Sequence, residues 1–212
     1  MSETRDKLIQ GTIATLRDQG IAGTSARVIA AAAGVNQALV FYHFGSVDEL
    51  IDAACREGAA ERVAVYRPQF EKVASLRELL ALGRTLNEAE RAAGNVAVLA
   101  QVLAGAQQDH NLAAAAQHAI ALWIEEIETA LVRLLAGSPI AEVVDAAGLA
   151  RGIAASFIGI ELYEGVDPTG AERALVALET LGVLVEVVED LGPVARRALR
   201  ARLRRTQRSL KA

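Results

Sequence analysis

The chain is expected to be all-α, with an N-terminal three-helix helix-turn-helix head, a helical body and about nine or ten helices in all. Three observations predict this. Of the 212 residues 52% are apolar, and alanine, leucine and valine dominate that share, a composition that favours helix. Helix-start signatures recur: Ser46-Val-Asp-Glu49, Ser75-Leu-Arg-Glu78 and Thr169-Gly-Ala-Glu172 each match the capping box, in which a hydroxyl and a carboxylate satisfy each other's free backbone N–H. No segment reads as a strand, and there is no repeat or low-complexity linker.

The elements follow in order. A first helix is expected from about Arg5 to Gln19, with Leu8, Ile9, Ile13 and Leu16 on one stripe, ended by Gly20 and Gly23. Thr24 and Ser25 are N-cap candidates for a short helix carrying Val28, Ile29, Ala32 and Ala33. Gly34 stops it, because glycine takes the left-handed conformation without a Cβ penalty. Asn36 caps a second short helix, Gln37 to Tyr42, and Ser46 opens a longer one from Val47 to about Tyr66, stopping before Pro68. Further helices are expected over 75–93, 95–106, and from an Asn111 cap to Leu135. Gly137-Ser-Pro139 is a break, with Ser138 as N-cap and Pro139 at the first helical position. Helices over 145–164, 169–190 and 194–209 complete the chain, the last set off by Gly192-Pro193.

Helix, tight glycine turn, helix is the arrangement that carries a second helix into the DNA major groove. Residues 24–50 supply it and resemble the tetracycline-repressor (TetR) family of bacterial transcription regulators. The matching positions are Thr24, Ile29-Ala30, Gly34-Val35-Asn36, Phe41-Tyr42-His43-Phe44 and Ser46-Val47-Asp48-Glu49-Leu50. The aromatic run is the strongest of these, since three of the eight aromatic residues fall within 41–44. The resemblance implies a DNA-binding domain over 1–46 and a helical effector-binding and dimerisation domain over 47–212.

The second short helix would offer Gln37, Ala38 and Leu39 to base edges. Gln37 suits a bidentate pair with adenine and Ala38 a thymine methyl. Asn36 and the helix terminus suit a phosphate oxygen, and Arg27 is the well-placed cation on the preceding helix. The resemblance adds Tyr42, His43 and Ser25 as phosphate contacts, while Phe41 and Phe44 are expected in the three-helix core. Val47 replaces the family's usual phosphate-binding lysine.

Charge alone does not point to DNA. The net charge is −4, and residues 1–58 carry five basic side chains against seven acids, whereas nonspecific affinity comes mainly from Lys and Arg. Residues 191–212 carry eight basic residues and no acid. Arg196, Arg197, Arg200, Arg204 and Arg208 gather on one broad helical face there, expected to lie against the acidic body or remain solvated, or else to add the nonspecific DNA or partner binding that the head lacks.

In the body, ten of the fourteen residues from Leu175 to Val188 are Ala, Val, Ile or Leu, and Glu172, Glu179 and Glu186 recur every seven residues. A helix with one polar stripe is buried on most of its circumference. The resemblance implies that this helix and its predecessor form a two-fold four-helix bundle, with Gly152, Ser156, Gly159, Leu178, Leu181, Val185 and Val188 at the homodimer interface. Such symmetry matches a palindromic double-stranded operator. A small-molecule effector is implied as well, with Asn87, Arg91, Gln101, Gln107, His118, Trp123, Phe157 and Glu161 as candidate lining.

The expected function is a DNA-binding regulator, a repressor released by its effector. The alternative is a family member that acts through protein partners with weak DNA association. No nucleophile–base pair or metal-ligand spacing suggests an enzyme, a metal or a cofactor. Cys55 is the single cysteine, so a reducing cytoplasm is the simple reading. No signal-like start or uninterrupted apolar span points to a membrane.

Overall fold

Among the described residues there are ten α-helices, one 3₁₀ turn and no strand. The structure is a computed structural model that describes residues 3–138, 140, 141, 144–189 and 191–210, giving the backbone alone for 189, 200, 204 and 206–210. The helices are α1 (Glu3–Gln19), α2 (Ala26–Ala33), α3 (Ala38–Phe44), α4 (Val47–Lys72), α5 (Leu76–Ala92), α6 (Asn95–Ala106), α7 (His110–Leu135), α8 (Ala146–Glu164), α9 (Pro168–Glu189) and α10 (Pro193–Leu210). The 3₁₀ turn, Ile21–Gly23, lies between α1 and α2.

Several helix ends differ from expectation, each for an identifiable reason. α4 runs through Pro68 to Lys72, although proline removes a helical hydrogen bond and crowds the preceding turn. Its free carbonyls are taken from outside the helix: the Arg133 guanidinium donates to Phe70 O at 2.8 Å and Val73 O at 2.7 Å. α7 is capped by Asp109, whose Oδ1 accepts from Asn111 N at 2.8 Å, so Asn111 is not the cap. α9 starts at Pro168 behind an Asp167 cap that accepts from Gly170 N at 2.9 Å. The Thr169 capping box therefore does not form, because aspartate before a first-turn proline takes the role first. The Gly137 break is present as a left-handed turn, and Ser138 Oγ accepts from Ile140 N at 3.2 Å. Pro139 lies outside the described residues, as does Asp190, where α9 was expected to end.

The chain falls into two compact units, Met1–Val65 with Glu88–Trp123 and Tyr66–Asn87 with Ile124–Ala212. In the first, Leu8 and Ile9 of α1, Ala26, Ile29 and Ala30 of α2 and Val40 of α3 form one core, closed by Leu50 and Ala54 of α4. The head's apolar centre thus draws on residues beyond position 46. Gly11 allows α1 and α2 to meet closely, since a Cβ there would lie 2.9 Å from Ala33 Cβ and 3.0 Å from Ala33 N. Arg5 of α1 forks onto the Glu57 carboxylate of α4, and its guanidinium lies 5.2 Å from the Phe44 ring centre.

In the second unit, α9's glutamates are tied to α5. Arg84 donates to Glu172 at 2.7 Å and to Glu179 at 2.8 Å, and Arg77 to Glu186 at 3.2 Å. Partners seven residues apart on both helices make a ladder in register. Gly182 permits that approach, for a Cβ there would lie 2.9 Å from Arg77 Cα. Ile160 of α8 with Ala171 and Leu175 of α9 forms the adjoining core. α8 has the length and hydropathy of a bilayer-crossing helix, but Arg151 and Glu161 interrupt it, and Ala150, Ala154 and Ile160 are buried.

Candidate nucleic-acid interface

Local chemistry fixes the shape of the α2–turn–α3 segment. Ser25, in extended conformation, caps α2 by accepting from Val28 N at 3.4 Å. Thr24 does not cap; its hydroxyl donates back to Gly20 O at 2.8 Å. Gly34 has φ 66° and ψ 33°, a conformation that costs other residues energy. Around it Gly34 N–H bonds Ala31 O at 3.2 Å and Val35 N–H bonds Ala30 O at 3.0 Å, closing the helix end. Asn36 Oδ1 then accepts from Ala38 N at 2.8 Å and opens α3. Gly45, at φ 80°, ends α3, and Ser46 Oγ caps α4 through Glu49 N at 3.1 Å.

Those ends aim the faces of α3. Val40 is fully buried, while Leu39 and Phe44 pack against the head core. The outward row is Gln37, Ala38, Phe41 and Tyr42, all exposed, with Tyr42 80% accessible. His43 is half-buried, edge-on to Tyr42 with ring centres 5.0 Å apart. Ser25, Arg27 and Asn36 are exposed beside this row in sequence. Two expectations change. Leu39 turns inward, and Phe41, expected in the core, is 49% exposed on the same face as Gln37 and Tyr42. The spacing carries that signal: 37, 38, 41 and 42 share one side of a 3.6-residue helix, and 40 and 44 the other.

The head's electrostatics are sparse. Arg5, Lys7, Arg17 and Arg56 each lie within ion-pair distance of a carboxylate, on Glu57, Glu3, Asp18 and Asp52 respectively. Among the described residues Arg27 is the cation of this region with no carboxylate that close. Its full charge is therefore available to a phosphate.

The body residues separate into distinct environments. Gly152 and Gly159 of α8 are exposed with open space where a Cβ would stand. Ser156 donates to Gly152 O at 2.8 Å. On α9, Leu181 is 56% exposed, whereas Leu178 packs into the subunit's own core and Val185 and Val188 are half-buried. Val176, Leu184 and Val187, which the sequence reading passed over, are exposed to the same degree as Leu181. They occupy the side of α9 opposite its buried face of Ala171, Leu175 and Gly182.

The candidate effector residues are equally mixed. Arg91, Gln101, Gln107 and His118 are exposed, and His118 Nδ1 lies 3.4 Å from Asp52 Oδ1. Trp123, Phe157 and Glu161 are half-buried, and Asn87 is buried. Cys55, partly buried, has its thiol pushed up to about 11 by burial, which keeps it protonated and unreactive at neutral pH. Among the described residues no group of three or more His, Cys, Asp or Glu could hold a metal ion.

The comparisons with known proteins agree with this arrangement. The profile of the bacterial regulatory proteins, tetR family, matches residues 8–54, which span α1 through the first turns of α4. An uncharacterised HTH-type transcriptional regulator of Mycobacterium tuberculosis is 27% identical over 136 residues, 64% of this chain and 69% of that protein. A putative TetR-family regulator from Rhodococcus sp. superposes with a TM-score of 0.71 at 25% identity, covering 87% of this chain and 99% of that one. The transcriptional regulator FadR from Bacillus subtilis, solved in complex with stearoyl-CoA, gives a TM-score of 0.65 at 15% identity, over 86% and 96% of the two chains. The head thus carries the DNA-binding sequence of the bacterial tetR family over residues 8–54, and the chain is similar in its all-helical fold to the TetR-family regulator from Rhodococcus sp..

Proposed function

We propose that this regulator is a homodimeric repressor that binds a palindromic operator through residues 1–46 and is released by a small molecule held in residues 47–212. The observation that carries the DNA reading is the outward row of α3. Gln37, Ala38, Phe41 and Tyr42 are exposed together, on a helix locked from behind by Val40. A glutamine amide beside a small methyl side chain suits an adenine–thymine step. Tyr42, His43, Ser25 and Arg27 would then fix the register on the phosphates.

Two-fold pairing through α8 and α9 supports the palindromic operator, because each protomer supplies one reading helix. The uncovered aliphatic side of α9 supports the pairing. The complex of FadR, a protein of the same fold, with stearoyl-CoA supports an effector in the helical body. Release requires the effector to favour one head spacing over another, which is a differential affinity for two states.

The test is fluorescence anisotropy of the purified protein on its own upstream DNA at modest salt. Retention on that DNA over an unrelated duplex of equal length is expected, with a stoichiometry of two chains per site. Equal binding to both duplexes overturns the operator reading and favours action through protein partners, the role that the acidic head suits better.

A further inference from the structure

The buried stripe of α5 repeats at seven residues: Leu79 is followed by Leu86, and Leu80 by Asn87. A carboxamide thus occupies the register of a leucine, and it is only 3% exposed. Its Oδ1 is shut off from solvent and accepts no hydrogen bond from the described residues. Buried amide oxygens are almost always paired, because desolvation without a partner is costly. One turn earlier the helix carries Gly83, where a Cβ would collide with the Phe157 ring of α8. Leucines, an aromatic ring and bare backbone thus lie within two turns of this carboxamide on the N-terminal side of α5.

We infer that Asn87 is the polar anchor of the effector, and that the effector is a small molecule bearing a hydroxyl or N–H donor on an apolar body. The inference rests on the effector reading above and adds the chemistry of the ligand. An amide oxygen accepts hydrogen bonds and donates none, so it selects donors and disfavours a carboxylate or phosphate at the same point. Sites built around a buried hydrogen-bonding group reject analogues that lack the matching group, since the protein atom is then left unpaired.

The test compares two matched series on the full chain: 1-hexanol to 1-dodecanol, and the corresponding alkyl methyl ethers. Thermal stabilisation gives the apparent Kd, and release of operator DNA is read in parallel. The alcohols are expected to bind about tenfold more tightly than ethers of equal length. Asn87→Leu should erase that difference and raise the melting temperature without ligand; Asn87→Ala repeats the comparison if the leucine variant does not fold. Equal behaviour of the two series in the wild type, including no stabilisation by either, overturns the anchor and leaves a trapped water as the partner. A preference that survives in both variants overturns it as well. If alcohols are preferred but no compound releases DNA, the anchor holds and the effector reading falls. Release by alcohols and ethers alike has the opposite meaning.

Discussion

Gln37 and Tyr42 share the outward side of α3, and their chemistry assigns them different work. A glutamine amide can match the paired donor and acceptor of adenine, whereas a phenol reaching a phosphate is blind to base identity. Gln37→Ala should therefore flatten the preference at one base pair per half-site, removing about 1–3 kcal/mol of discrimination. Tyr42→Ala should instead weaken binding on every sequence by a similar factor. Binding to a panel of single-base operator variants separates the two, and a reversed pattern means that α3 presents a different register. The contrast between Leu39 and Phe41 shows what was legible at this scale. The aromatic run located the head, but treating aromatics as core by their hydrophobicity misassigned Phe41. Periodicity anchored on Val40 places both residues, and that anchor became visible only once the packing of Val40 against Leu8, Ile29 and Leu50 fixed which side of α3 faces the core.

Helix identities were readable because caps and glycine stops are local, whereas several helix ends depended on distant partners. Nothing near Pro68 in sequence announces that Arg133 will occupy the carbonyls of Phe70 and Val73. The Asp109 cap was in principle visible but competed with Asn111 two residues on. Asp109→Ala should cost about 1 kcal/mol as a lost cap, and Asn111→Ala clearly less, by chemical denaturation. A second prediction concerns the tie between α1 and α4. The hydrogen bonds from Arg5 hold the Glu57 carboxyl below its usual range. A carboxylate so depressed adds stability above its unfolded pKa of about 4.3, and that stability is lost as pH falls through the folded value. The melting temperature of wild type should thus exceed that of Glu57→Gln at pH 7, and the gap should close progressively below pH 5. A gap that stays constant to pH 3 would mean that the ion pair contributes nothing to folding.

On the scale of the whole molecule, the glutamate ladder and the bare aliphatic row of α9 are two consequences of one seven-residue repeat. Binding Glu172, Glu179 and Glu186 to α5 turns Val176, Leu181, Leu184 and Val187 outward. Contiguous exposed aliphatics on a helix beside the open glycine positions of α8 are costly in a monomer and ordinary in a dimer. From sequence, the glutamates read as the one polar stripe of a mostly buried helix, and the missing information was that Arg77 and Arg84 share their spacing. If this row is the two-fold seam, Leu184→Glu places two like charges in an apolar contact, one from each protomer, with no partner for either. The variant should sediment as a monomer at concentrations where the wild type is a dimer. It should keep its helical circular dichroism and lose operator affinity by at least tenfold, because one head then binds without the other. Leu178→Ala is the control: Leu178 packs within its own subunit against the core of Ile160, Ala171 and Leu175, so truncation should lower the melting temperature and leave the mass unchanged. A Leu184→Glu protein that remains dimeric and binds its operator normally would move the seam away from α9, and with it the geometry by which two reading helices meet one duplex.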